Sequence, residues 1–123
     1  MAKKKILVID DDLNLSSALK VRLSSEGFQV ECAGDGKDGI EMAQRNNPDL
    51  IILDLMLPKL PGEEICRIIR KDEKLKEIPI IVLTAKNEEV DRIIAKVIGA
   101  TYVMTKPFET KELCGKIAEV LRD

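Results

Sequence analysis

The stretch Ile6–Asp12, ILVIDDD, decides the fold, because four apolar residues run without interruption into three aspartates. Adjacent carboxylates repel one another and Asp is depleted in strands. The run therefore divides at Ile9 into a strand and whatever lies past its end. Leu50–Leu53 and Ile80–Leu83 repeat the apolar half, the pattern of strands buried on both faces of a parallel sheet. Phe28–Ala33 (FQVECA) alternates apolar with polar residues and reads as an edge strand, and Tyr102–Thr105 is a shorter, mixed strand, also at an edge.

Helical periods fill the intervals. Leu15, Ala18, Leu19 and Leu23 form a first stripe, ended by Gly27 as C′ residue. Ile40 and Ala43 mark a second helix, stopped near Asn47-Pro48, and Ile65, Ile68 and Ile69 mark a third. Val90, Ile94, Val97 and Ile98 form a fourth, with Asn87 as N-cap and Gly99 at its end; Leu113, Ile117, Val120 and Leu121 form the last, capped by Thr110. Five strand-then-helix units with short connections predict one α/β domain over residues 1–123, a parallel sheet covered on both faces by right-handed crossovers. Doubly buried central strands and edge-like outer ones suit an open three-layer sandwich rather than a barrel.

Composition narrows the function. Of 123 residues, 20 are basic and 22 acidic, and only Phe28, Tyr102 and Phe108 are aromatic. That balance argues against a nucleic-acid binder, which carries a basic face and stacking platforms. The apolar run after the N-terminal lysines is too short for a secretory signal or a membrane span, so a cytoplasmic, membrane-free protein is expected. Cys32, Cys66 and Cys114 are odd in number and lack metal-ligand spacing, and read as small hydrophobes in a reducing compartment. With no histidine in the chain, any imidazole chemistry has to come from a partner.

In open α/β sheets, function collects beyond the carboxyl ends of the strands. Those ends carry Asp10 and Asp11 from the first strand, Asp54 from the third, Thr84 from the fourth, and Lys106 followed by Pro107 from the fifth. Each has an ordinary structural alternative: an Asp there can cap a helix, as expected of Asp12, a Thr can close a turn, and a Lys can be solvated. Together they point to a hard cation. Clustered carboxylates raise one another's pKa, and Mg²⁺ is held by one or two carboxylates with waters and phosphate oxygens. Such a site suits a single phosphoryl group.

VIDD after a basic start, the isolated Asp54 in LIILDLMLPKLPG, Thr84-Ala85, and Lys106-Pro107-Phe108 strongly resemble the receiver domains of two-component response regulators, over the whole chain and at matching spacings. Within that family the pattern is most similar to receivers of winged-helix transcription regulators, through Asp91-Arg92 and Glu112-Leu113. The resemblance implies a doubly wound (βα)5 flavodoxin-like sandwich with strand order 2-1-3-4-5. It implies Mg²⁺-dependent phosphorylation of Asp54 by the phosphohistidine of a sensor histidine kinase or phosphotransfer protein, with Mn²⁺ as the alternative ion. On this basis Asp11 ligates the metal directly, Asp10 acts through water, and Asp54 and the Met56 main-chain carbonyl complete the protein ligands. Lys106 and the Thr84 hydroxyl each take a phosphoryl oxygen, the small Ala85 leaves room, and the Lys106–Pro107 bond is cis. The domain is then a phospho-acceptor that catalyses its own phosphorylation and dephosphorylation rather than an enzyme acting on others.

The chain departs from the family in three places. Counting back from Lys106, the aromatic position of strand five holds Val103, with Tyr102 one residue earlier and, by strand alternation, facing the other way. Pro61 replaces the acid that precedes Gly62, and Thr101-Tyr102 replaces an acidic pair. Mixed charges on the fourth helix (Glu88, Glu89, Asp91, Arg92, Lys96) and the fifth (Lys111, Glu112, Lys116) read either as a solvated surface or as a homodimer face shared with strand five. Competing classes fare worse. A flavin-binding electron carrier needs a hydroxyl-rich phosphate loop where this chain has three aspartates. An aspartyl phosphatase needs an acid where Met56 stands. A partner-binding module without phosphorylation needs a broken acid pocket.

Overall fold

The computed structural model describes residues 3–57, 59–84 and 99–122. Strands β1 (Lys5–Ile9), β2 (Gln29–Ala33), β3 (Leu50–Asp54), β4 (Ile80–Thr84) and β5 (Tyr102–Thr105) alternate with helices α1 (Leu13–Ser25), α2 (Gly36–Asn46) and α3 (Gly62–Lys71), and α4 (Thr110–Leu121) ends the chain. The sheet is parallel throughout, in the order β2-β1-β3-β4-β5. The expected three-layer sandwich is the observed one. The fourth predicted helix, with Asn87, Val90, Ile94, Val97 and Ile98, lies outside the described residues, as does Pro58.

Strand alternation divides the core in two. Leu7, Ile9, Ile51, Leu53, Ile80, Val82 and Val103 face α2 and α3, where they meet Ala43, Ile65, Cys66 and Ile69. Ile6, Val8, Leu50, Ile52, Ile81, Leu83 and Met104 face the other way, onto Leu19 and Leu23 of α1 and Leu113, Cys114 and Ile117 of α4. Burial pushes the Cys66 thiol up to about 11, against the pull of Arg70 and with a small push from Glu63. The neutral thiol behaves there as a small hydrophobe. Among the described residues no helix is long and apolar enough to cross a membrane.

Helix ends follow local chemistry, with corrections to the sequence reading. Asp12 caps α1, its Oδ1 accepting the main-chain N–H groups of Asn14 and Leu15, both at 3.1 Å. Gly27 follows the α1 C-cap at φ +98°, a conformation that glycine adopts without steric cost. Thr110 is not the cap of α4: Glu109 holds that position, without a side-chain bond, and Thr110 is the first helical residue. The buried stripe of α1 includes Ser16 while Ala18 is exposed, and α3 buries Cys66 while Ile68 is partly exposed.

Arg70 ties three segments together. Its guanidinium donates to the Gly99 carbonyl from Nε (2.9 Å) and Nη2 (2.7 Å), and from Nη1 to the carbonyls of Lys76 (3.0 Å) and Ile78 (2.6 Å). One planar fork thereby joins α3, the approach to β4 and the approach to β5. We expect Arg70→Ala to lower the unfolding free energy by about 3 kcal/mol in chemical denaturation, since it leaves several carbonyls under-satisfied. Arg70→Lys should recover only part, because a single ammonium lacks the fork. A loss within about 0.5 kcal/mol, the scale of an ordinary surface substitution, would contradict the staple.

Candidate functional site

Parallel register brings the strand ends level. Ile9 pairs with Leu53 and with Ala33, Asp54 with Leu83, and Thr84 with Thr105. Asp10 leaves β1 while still hydrogen-bonded to its neighbour, its N–H donating to the Ala33 carbonyl at 3.1 Å. Its buried carboxylate accepts the Asp12 N–H at Oδ1 (2.9 Å) and Lys106 Nζ at Oδ2 (3.1 Å). Asp54, also buried, accepts the Met56 N–H at Oδ1 (3.0 Å) and Lys106 Nζ at Oδ2 (3.4 Å). Asp11 is exposed at the rim, and one carboxylate oxygen from each of Asp10, Asp11 and Asp54 lies within 4.8 Å of the others.

The electrostatics follow from this crowding. Burial raises the pKa of Asp10; the Asp12 N–H lowers it, the Asp54 charge raises it and Lys106 lowers it, and the balance is upward. Burial works against the ammonium of Lys106, but the hydrogen bond to Asp10 and the charges of Asp54 and Asp10 outweigh it, so its pKa is raised. Among the described residues, three carboxylates against one ammonium leave formal negative charge in excess. Every converging donor is a hard oxygen, and the site opens to solvent at Asp11. That donor set fits a hard divalent cation such as Mg²⁺ or Mn²⁺.

The other predicted residues take these places. Thr84 is buried at the end of β4, and its carbonyl accepts the Lys106 N–H at 2.6 Å. Met56 is 69% exposed while its main-chain N–H donates to Asp54. The Lys106–Pro107 bond is cis. Val103 is buried on the α2/α3 face. Tyr102 is 38% exposed on the opposite face, with Lys116 Nζ of α4 4.1 Å from its ring centroid, a cation–π distance. Ala85 and the charged residues Glu88, Glu89, Asp91, Arg92 and Lys96 lie outside the described residues. The strand ends announced that Lys106, Asp10 and Asp54 meet at one edge, as they do; that Lys106 pairs directly with both carboxylates, across 96 and 52 positions, was not part of that expectation.

The response regulator receiver domain profile matches residues 6–118, and the chain belongs to that family. The fold is similar to that of the chemotaxis protein CheY4 of Vibrio cholerae, at 30% identity and a TM-score of 0.92, covering 97% of this chain and 99% of that one. A putative response regulator from Chloroflexus aurantiacus matches at 30% identity and a TM-score of 0.92 over 98% of each chain. The BeF3-activated N-terminal receiver domain of Klebsiella pneumoniae RstA matches at 27% identity and a TM-score of 0.90, covering 98% of this chain and all of that one. The protein is thus a receiver of two-component signalling.

The crowding yields a stability test. Asp10→Asn removes a buried charge, keeps an oxygen for the Asp12 N–H, and leaves Asp54 as counter-ion to Lys106. In chelator at neutral pH, its thermal midpoint should rise by a few degrees, the equivalent of about 1 kcal/mol. Adding Mg²⁺ should then stabilise the wild type more than the variant. A variant less stable than wild type in chelator would show that the Lys106 ion pair outweighs the crowding.

Proposed function

We propose that Asp54 accepts a phosphoryl group from the phosphohistidine of a sensor histidine kinase or phosphotransfer protein. The observation that carries this reading is a buried carboxylate at the end of β3, flanked by Asp10 and Asp11 and contacted by Lys106. An Asp54 oxygen forms the new bond to phosphorus as the bond to the imidazole nitrogen breaks, and the histidine leaves with that electron pair. Lys106 then shifts from the carboxylates to a phosphoryl oxygen, and Thr84 supplies a hydroxyl donor to another. The transition state spreads charge over three equatorial oxygens, so placement and electrostatics do most of the catalysis. A divalent cation held by Asp10, Asp11, Asp54 and the Met56 carbonyl supplies neutralising charge when bound. With no histidine of its own, the chain depends on a partner for the donor. It catalyses only its own phosphorylation and dephosphorylation.

Intact-mass spectrometry tests this. Mg²⁺ with a small acyl-phosphate donor should add one phosphoryl group to the wild type, and none in chelator or in Asp54→Asn. Labelling of Asp54→Asn equal to wild type would sink the assignment. Lys106→Ala should still label, with a blunted conformational response.

A further inference from the structure

Asp54 Oδ1 is met by the N–H of one peptide group, and that peptide is held from its far side by a glycine. The plane between Leu55 and Met56 carries the Leu55 carbonyl on one edge and the Met56 N–H on the other. The N–H donates to Asp54 Oδ1 at 3.0 Å. The carbonyl accepts the N–H of Gly62, the first residue of α3, at 3.2 Å. Because the unit is planar and rigid, fixing its oxygen fixes the direction of its N–H. Leu55 is anchored independently, its own N–H donating to the Leu83 carbonyl of β4 at 3.0 Å. The peptide beyond it therefore has one remaining freedom, rotation, and the bond from Gly62 removes it.

This approach leaves no room for a side chain. A Cβ on Gly62 would stand 2.6 Å from Leu55 Cα and 2.9 Å from the Asp54 carbonyl oxygen. Both obstacles are main chain at the mouth of the acid pocket, so neither can turn aside as a flexible side-chain end would. The bonds also act in series. Donation to the Leu55 oxygen polarises the peptide and strengthens its N–H as a donor, here toward a carboxylate. Resting on the reading of Asp54 as phospho-acceptor, we infer that Gly62 is a positioning residue: through the Leu55–Met56 peptide it holds Asp54 Oδ1 in line.

Two variants test this. Gly62→Ala drives the start of α3 off the Leu55 carbonyl. An ester in place of the Pro61–Gly62 peptide bond deletes the N–H without adding an atom, and serves also if the alanine variant does not fold. In each, well below its thermal midpoint, the maximal rate of Asp54 labelling by an acyl phosphate should fall roughly tenfold or more. The donor concentration at half-maximal rate should stay unchanged. The amide proton resonance of Met56, shifted downfield by its carboxylate acceptor, should move upfield, as in Asp54→Leu. A purely structural glycine would lower the melting temperature and move neither quantity. An unmoved Met56 resonance overturns the inference, with or without a loss of rate. If the wild type takes no phosphoryl group, the reading of Asp54 as acceptor fails, while the Met56 resonance still decides what aims its carboxylate.

Discussion

Among the described residues, Lys106 is the one ammonium in contact with Asp10 and Asp54, two carboxylates that the sheet forces together. Parallel pairing makes this unavoidable. Every strand points the same way, so whatever residue follows each apolar run emerges at the same edge. Among the described residues one cation faces three carboxylates there, and the edge is left with formal negative charge in excess. Fold and chemistry share a cause. The apolar runs that bury the sheet are the runs that deliver the acids.

Much of this was legible in the sequence because it depends on period and spacing. Ile6–Ile9, Leu50–Leu53 and Ile80–Leu83 lie within β1, β3 and β4, and both edge strands fall where the mixed patterns placed them. What escaped the reading depends on distances between elements. Ser16 lies buried in α1, where its carbonyl accepts the Cys32 thiol of β2 at 3.6 Å, and periodicity marks only apolar residues. Gly36 and Gly39 are buried because the second helix sits hard against Ile65 and Ile9, and no stripe of large side chains announces such contact. Thr110 has the chemistry of a cap, yet the helix starts one residue earlier than that reading requires. In the site, strand ends identified the participants, whereas the hydrogen bonds that orient them run through main-chain groups that sequence does not display.

The residues of β5 show how a one-position shift changes a contact network. Val103 pairs in register with Val82 and belongs to the core on the α2/α3 side, where a β-branched side chain is stiff at χ1. Met104 packs with Leu113 and Ile117 on the other side, and Tyr102 shares its parity and lies beneath Lys116 of α4. Lys116 also pairs with Glu119 at 3.2 Å. The strand is thus joined to the C-terminal helix at Tyr102 and Met104, while Lys106 just beyond its end enters the acid pocket.

The Arg70 fork constrains the chain's history as well as its shape. Gly99 takes φ +97°, and a Cβ there would stand 3.0 Å from Cγ and Nε of Arg70. A lineage that exchanged this glycine for a larger residue would meet backbone strain and displace the arginine together. One that lost the arginine first would open the space but strand the carbonyls it serves. Positions 70 and 99, 29 residues apart in sequence, are therefore expected to drift as a pair among descendants of this chain, leaving a joint signature where each alone would look merely variable.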